Sequence, residues 1–185
     1  MLLDTPVCDF GWQAPDFTLA DPSGDRFTMS DHGGNGLLVA FVCNHCPYVK
    51  AIADRLAEDA KALEGQGIAT LAVMSNDYRD YPADAPPQML RFAEAHGWTF
   101  PYLVDEDQRV GKAWGAVCTP DFFGLNAKGE LQYRGRLDDL GMGSGATSDP
   151  AGRTRELVDA MQMIACTGEG PREQTPSMGC SIKWS

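Results

Sequence analysis

The stretch Leu37-Leu38-Val39-Ala40-Phe41-Val42-Cys43-Asn44-His45-Cys46-Pro47-Tyr48 decides the fold. Its first six residues are all apolar, as expected of a strand buried on both faces. Two cysteines follow, two residues apart, and then a proline that suits the first turn of a helix. Residues 47–64 place Tyr48, Ile52, Leu56, Ala60 and Leu63 on one helical face, and Gly65 and Gly67 close the helix. A strand therefore delivers Cys43 to the top of a sheet, over a helix N-terminus. The unpaired N–H groups and partial positive charge of that helix end favour a thiolate over a thiol. Thiolates attack disulfides, so Cys43 and Cys46 read as a redox-active pair.

The same pair could instead be half of a zinc site. Such a site needs a second pair or a Cys/His cluster, and no second Cys-x-x-Cys occurs. Redox chemistry is the stronger reading and no metal is expected. His45, between the two sulfurs, is placed to lower the thiolate pKa as an imidazolium and so make the disulfide more oxidising. A solvated His45 of little effect is the plainer alternative.

Outward from this centre, Phe17-Thr18-Leu19 and Arg26-Phe27-Thr28-Met29 flank a turn at 21–24 and predict an N-terminal hairpin within 13–32. Ile68–Met74 predicts a second buried strand, and Pro86 opens a helix that ends near Gly97. Phe100–Val104 reads as a short strand or extended segment, Arg109–Trp114 as a short helix, and Asp121–Leu125 with Glu130–Arg134 as a hairpin. A Gly-rich loop at 141–152 leads to a last helix over about 153–166. The order predicts an α/β domain with a central mixed sheet and helices on both faces. One domain spans 1–185, with an irregular C-terminal tail at 167–185.

The balance of 15 basic and 26 acidic residues gives a net charge of −11. That argues against nucleic acid and against an acidic membrane surface as partners. No apolar stretch approaches the roughly 20 residues of a membrane span, and no signal peptide is visible at the start. The expectation is a cytoplasmic protein. Six cysteines occur, at positions 8, 43, 46, 118, 166 and 180. In a chain of this length they read as reactive or buried thiols rather than a staple framework.

The chain resembles the thioredoxin fold in its order of strand, Cys-x-x-Cys, helix, strand, helix, then Thr119-Pro120 before a hairpin. Ala14-Pro15-Asp16-Phe17-Thr18-Leu19 is similar to the opening of the redoxin branch, which includes the alkyl hydroperoxide reductase/thiol-specific antioxidant proteins. More closely, it resembles a peroxiredoxin-like subgroup. The words are Phe41–Val49, Ser75-Asn76-Asp77, Phe100-Pro101-Tyr102-Leu103, Cys118–Phe123 and Gly179–Trp184.

The resemblance implies that Cys43 is the more exposed, attacking thiol and that Cys46 resolves the mixed disulfide. It also implies that Pro120 follows a cis bond, facing the dithiol with Thr119. Cys118 is a possible third redox thiol, though a buried cysteine more often packs as a small hydrophobe. Cys180 could act as a resolving thiol or pair with Cys8 or Cys166; Ile182 and Trp184 suggest a docked tail. Two departures stand out: Val42 replaces the tryptophan that precedes the first cysteine, and no acid lies between Gly36 and Val42. Proton transfer from Cys46 then needs His45, water or a distant group.

Four functions compete; the last, a non-catalytic interaction module, predicts normal behaviour of a Cys43→Ser variant, which is not expected. The first is a thiol–disulfide oxidoreductase, with a disulfide-bearing protein or small thiol as substrate, a separate reducing partner, and no cofactor. The second is a thiol-dependent peroxidase, in which a thiolate becomes a sulfenic acid. Its Pro-x-x-x-Thr/Ser-x-x-Cys pattern fails at both cysteines, since Ala40 and Gly36 precede Cys43, and Cys43 and Val39 precede Cys46. The third is a metal-handling protein using Cys43, Cys46 and His45.

Overall fold

A strand whose every residue is apolar must be paired on both edges and covered on both faces. The computed structural model, which describes residues 1–142 and 152–185, builds this around Leu37–Phe41. In chain order the elements are β1 (Leu2–Asp4), β2 (Thr18–Ala20), β3 (Arg26–Thr28), β4 (Leu37–Phe41), α1 (Pro47–Glu64) and β5 (Ala69–Met74). Then come α2 (Pro86–Ala95), β6 (Tyr102–Val104), α3 (Arg109–Trp114), β7 (Cys118–Thr119), β8 (Asp121–Leu125) and β9 (Leu131–Tyr133). The last two are α4 (Glu156–Thr167) and β10 (Met178–Ser181).

The main sheet has the order β3-β2-β6-β5-β4-β8-β9 among the described residues. Strand β4 pairs parallel with β5 and antiparallel with β8, so it is central. Alternation along β4 then makes two cores. Leu38, Ala40 and Val42 pack with Ile52, Leu56 and Leu63 of α1 and with Leu157, Met161 and Ile164 of α4. Leu37, Val39 and Phe41 face the other way, onto Phe17, Trp114 and Phe123. The expected mixed sheet with helices on both faces is present, and the predicted N-terminal hairpin is β2–β3. The Gly-rich loop falls largely on 143–151, outside the described residues. Among the described residues, no helix is long and apolar enough to cross a membrane.

A second sheet, β1-β10-β7, lies outside the sequence reading. It corrects the expectation of an irregular tail at 167–185: Met178–Ser181 is a strand between β1 and β7. Close approach makes this possible. A Cβ on Gly179 would run into the Thr119 carbonyl oxygen, so only glycine lets the strands come so near.

Buried charges fasten the lower face of α1. Arg55 Nε donates to Asp138 at 2.7 Å, and Arg153 bridges Asp59 (2.5 Å) and Asp138 (3.1 Å).

Candidate active site

Cys43 leaves the end of β4, and Cys46 is the N-cap residue of α1, with Pro47 in the first helical turn. The carbonyl of Cys46 accepts the N–H groups of Val49 and Lys50, at 3.1 and 3.0 Å. Across from them, β7 brings in Thr119, whose bond to Pro120 is cis, as the resemblance implied. The Thr119 hydroxyl lies 3.3 Å from the Cys43 sulfur, and Cys46 S–H donates to the Thr119 carbonyl at 3.2 Å. One residue therefore touches both sulfurs. The structure brings Cys43, Cys46, Thr119 and Pro120 together.

Both sulfurs are buried. Cys43 is 1% exposed and Cys46 0%. The pair is tightly linked: a hydrogen bond between the sulfurs lowers Cys46 to about 4 and raises Cys43 far above the usual thiol range. Burial and the negative charge of Asp84 push Cys43 further up. Burial opposes ionisation at Cys46, while the amides of Cys180 and Val49 favour it. The reduced pair thus holds one proton between two sulfurs. The Cys46 bond to the Thr119 carbonyl exists only while Cys46 carries the proton.

His45 pairs with a carboxylate and an aromatic ring. Its ring is 28% exposed and stacks on Tyr81, with centroids 5.7 Å apart and planes 11° from parallel. Its Nδ1 lies 2.5 Å from Oδ2 of Asp84, a fully buried carboxylate. A carboxylate only accepts, so the ring proton sits on Nδ1. Asp84 also accepts the backbone N–H groups of Asn44 (2.7 Å) and His45 (3.2 Å) and the amide of Asn76 (2.9 Å). Asn44 is held in turn by Tyr102, whose hydroxyl donates to Oδ1 at 2.9 Å.

Asp84 answers the missing acid noted in the sequence. A buried carboxylate is present beside the dithiol, but it arrives from the Pro82–Asp84 turn rather than from β4. A proline-bounded acid was its only sequence signal. Cys43 sulfur, a His45 ring nitrogen or an equivalent ligand atom, and an Asp84 oxygen lie within 4.8 Å of one another. This mixed set is of a kind zinc accepts. Here Asp84 is already saturated by four hydrogen-bond donors.

The remaining thiols divide. Cys118 is wholly buried, donates to the Pro120 carbonyl at 3.7 Å, and is pushed up to about 12 by burial and by Asp121. It is a packed thiol. Cys180 lies on β10 opposite Thr119, next to the dithiol. Cys8 is buried and pushed up to about 11, chiefly by that burial, while Cys166 is exposed. All six are free thiols.

A family model described as the AhpC/TSA family matches residues 10–134. The chain is 27% identical over 121 residues to the thiol-disulfide oxidoreductase ResA of Bacillus subtilis (strain 168), covering 65% of this chain and 64% of that protein. It is 29% identical over 116 residues to peroxiredoxin Bcp of Escherichia coli (strain K12), covering 63% and 70%. Among solved structures, a hypothetical protein from Sinorhizobium meliloti 1021 superposes with a TM-score of 0.89 at 37% identity, covering 98% of this chain and 97% of that one.

Proposed function

This chain belongs to the AhpC/TSA family, and from that footing we propose that it is a thiol–disulfide oxidoreductase whose working couple is Cys43 and Cys46. The named relatives are thiol redox enzymes, and this chain is read as an enzyme of the same chemistry. One observation carries the residue assignment: across from the N-terminus of α1, Thr119 touches both sulfurs, Cys43 through its hydroxyl and Cys46 through its carbonyl.

In the reductive direction, the shared proton passes to Cys46 as the Cys43 sulfur attacks a substrate disulfide, and the first substrate sulfur leaves and takes that proton. The Cys46 thiolate then displaces the second substrate sulfur from Cys43, closing Cys43–Cys46, so that both substrate sulfurs depart as thiol or thiolate. A separate thiol donor restores the pair. A cleft of about 430 Å³ beside the site, lined by Tyr48, Ile52, Pro120, Phe122, Leu137 and Met178, suits an apolar side chain of a disulfide-bearing peptide or small thiol.

A peroxidase is the second reading, favoured by the Thr119 hydroxyl beside the Cys43 sulfur and by the peroxiredoxin relative. Both are tested by equilibrating the protein in glutathione redox buffer and, separately, exposing it briefly to hydrogen peroxide, then mapping disulfides by mass spectrometry. Ready closure of Cys43–Cys46 with slow peroxide loss supports the oxidoreductase. Rapid stoichiometric peroxide loss with a sulfenic acid at Cys43 replaces it with the peroxidase.

A further inference from the structure

Strand β10 runs antiparallel to β7 with Cys180 directly opposite Thr119. Thr119 is also the residue whose carbonyl holds Cys46 and whose hydroxyl meets Cys43. The Cys180 side chain packs against the core cluster that contains both sulfurs. This placement is built in three ways. Gly179 permits the close strand approach. Ser177 Oγ donates to the Pro120 carbonyl at 2.7 Å. Beyond the strand, the Lys183 N–H donates to Asn76 at 2.8 Å, and Gln108 Nε2 donates to the Lys183 carbonyl at 2.8 Å. Asn76 is a ligand of Asp84, so one polar chain ties the tail to the dithiol's carboxylate.

Resting on the Cys43–Cys46 reading above, we propose that Cys180 is a third redox thiol, which exchanges with the disulfide formed by the first two. The Cys180 sulfur attacks the Cys46 sulfur of the Cys43–Cys46 bond. A Cys46–Cys180 bond forms as the Cys43–Cys46 bond breaks, and Cys43 leaves as a thiolate. Cys180 gives up one proton and Cys43 gains one. No electrons enter or leave, so the exchange needs no further oxidant. Its product fastens β10 to α1 covalently and returns Cys43 to the thiol state while the protein remains oxidised.

Burial raises the Cys180 thiol, its contact with Cys46 raises it further, and the Lys183 ammonium pulls it back down. It is therefore a thiol at neutral pH, and it gives up its proton as the departing Cys43 sulfur takes one.

The test uses wild type, Cys43→Ser and Cys180→Ser in a glutathione redox buffer, quenched with acid, alkylated and mapped by mass spectrometry. The expected result is a mixture of Cys43–Cys46 and Cys46–Cys180 in wild type. Cys43→Ser should close Cys46–Cys180 without retaining glutathione, and Cys180→Ser should show Cys43–Cys46 alone. Wild type with only Cys43–Cys46, together with Cys43→Ser that keeps glutathione on Cys46 and a free Cys180, overturns the exchange and leaves the dithiol reading standing. Absence of Cys43–Cys46 from both wild type and Cys180→Ser would instead remove the dithiol reading, and the exchange with it. The wild-type map alone decides the matter should a variant fold poorly.

Discussion

His45 Nδ1 lies 2.5 Å from Oδ2 of Asp84, although 39 residues separate them in the chain. The pair supplies the dithiol with a buried carboxylate and an imidazole whose proton is fixed on one nitrogen. Asp84→Asn keeps the shape and removes the charge, and it sets an NH2 group among donors. We expect a stability loss of about 1.5–3 kcal/mol in urea titrations, the range for hydrogen bonds to a charged group. The Cys43 thiol should also titrate lower, because the Asp84 charge raises it. The pH dependence of Cys43 alkylation, variant against wild type, checks this; an unshifted profile would separate Asp84 from the chemistry.

The shared proton makes stability depend on pH in a definite sense. Unfolded, both thiols titrate near the free value of about 8.5. Folded, Cys46 is lowered to about 4 and Cys43 is raised. Between these lower limits the unfolded chain binds one more proton than the folded one, so the dithiol's contribution rises with pH. Above about 8.5 the folded pair still holds a proton that the unfolded chain has lost, and the contribution falls. Urea midpoints of reduced wild type minus those of Cys43→Ala/Cys46→Ala should therefore peak near the free thiol value. A flat difference would refute the shared proton.

Thr119→Val keeps the side-chain shape and removes the hydroxyl at the Cys43 sulfur. Since that hydroxyl lowers both thiols, both should titrate higher. Reaction of the reduced dithiol with a model disulfide should slow by about tenfold, the equivalent of about 1.4 kcal/mol. Stopped-flow rates at fixed pH check it, and an unchanged rate would confine Thr119 to packing.

Away from the site, Arg153 sits with a fully buried side chain between Asp59 and Asp138. Arg153→Ala strips one of two cations from each buried carboxylate, leaving Arg55 on Asp138 and Arg155 on Asp59, and should cost about 1–3 kcal/mol. Denaturant unfolding measures this, and a loss below 1 kcal/mol would show that Arg55 and Arg155 suffice.

The elements legible in the sequence were those with a local signal. Leu37–Val42 is a run that only a doubly covered strand explains, and the proline after Cys46 marks the start of α1 within one residue. Cys43, Cys46, Thr119 and Pro120 followed from motif and resemblance. Asp84 did not, because its role depends on the path of the 75–85 segment back over the start of α1, and no periodicity encodes that path. Strands β1, β7 and β10 escaped for another reason. They are two to four residues long, and β10 carries a glycine in a proline-rich tail. Their pairing is fixed by contacts across the whole chain, with Leu2 opposite Cys180. The burial of both sulfurs went unread on the same ground, since the tail packed beside the dithiol was read as irregular.

Strand β10 has no free edge, because β1 holds one side and β7 the other. A peptide seeking the Thr119 backbone must first break a ladder inside the protein. Reactivity at Cys46 is then expected to follow local opening of the tail, since local opening costs less than unfolding the whole domain. Urea far below the global transition should accelerate modification of Cys46, and amide exchange at Gly179–Ser181 should rise in step with it. Such an enzyme would work faster under mild stress than at rest.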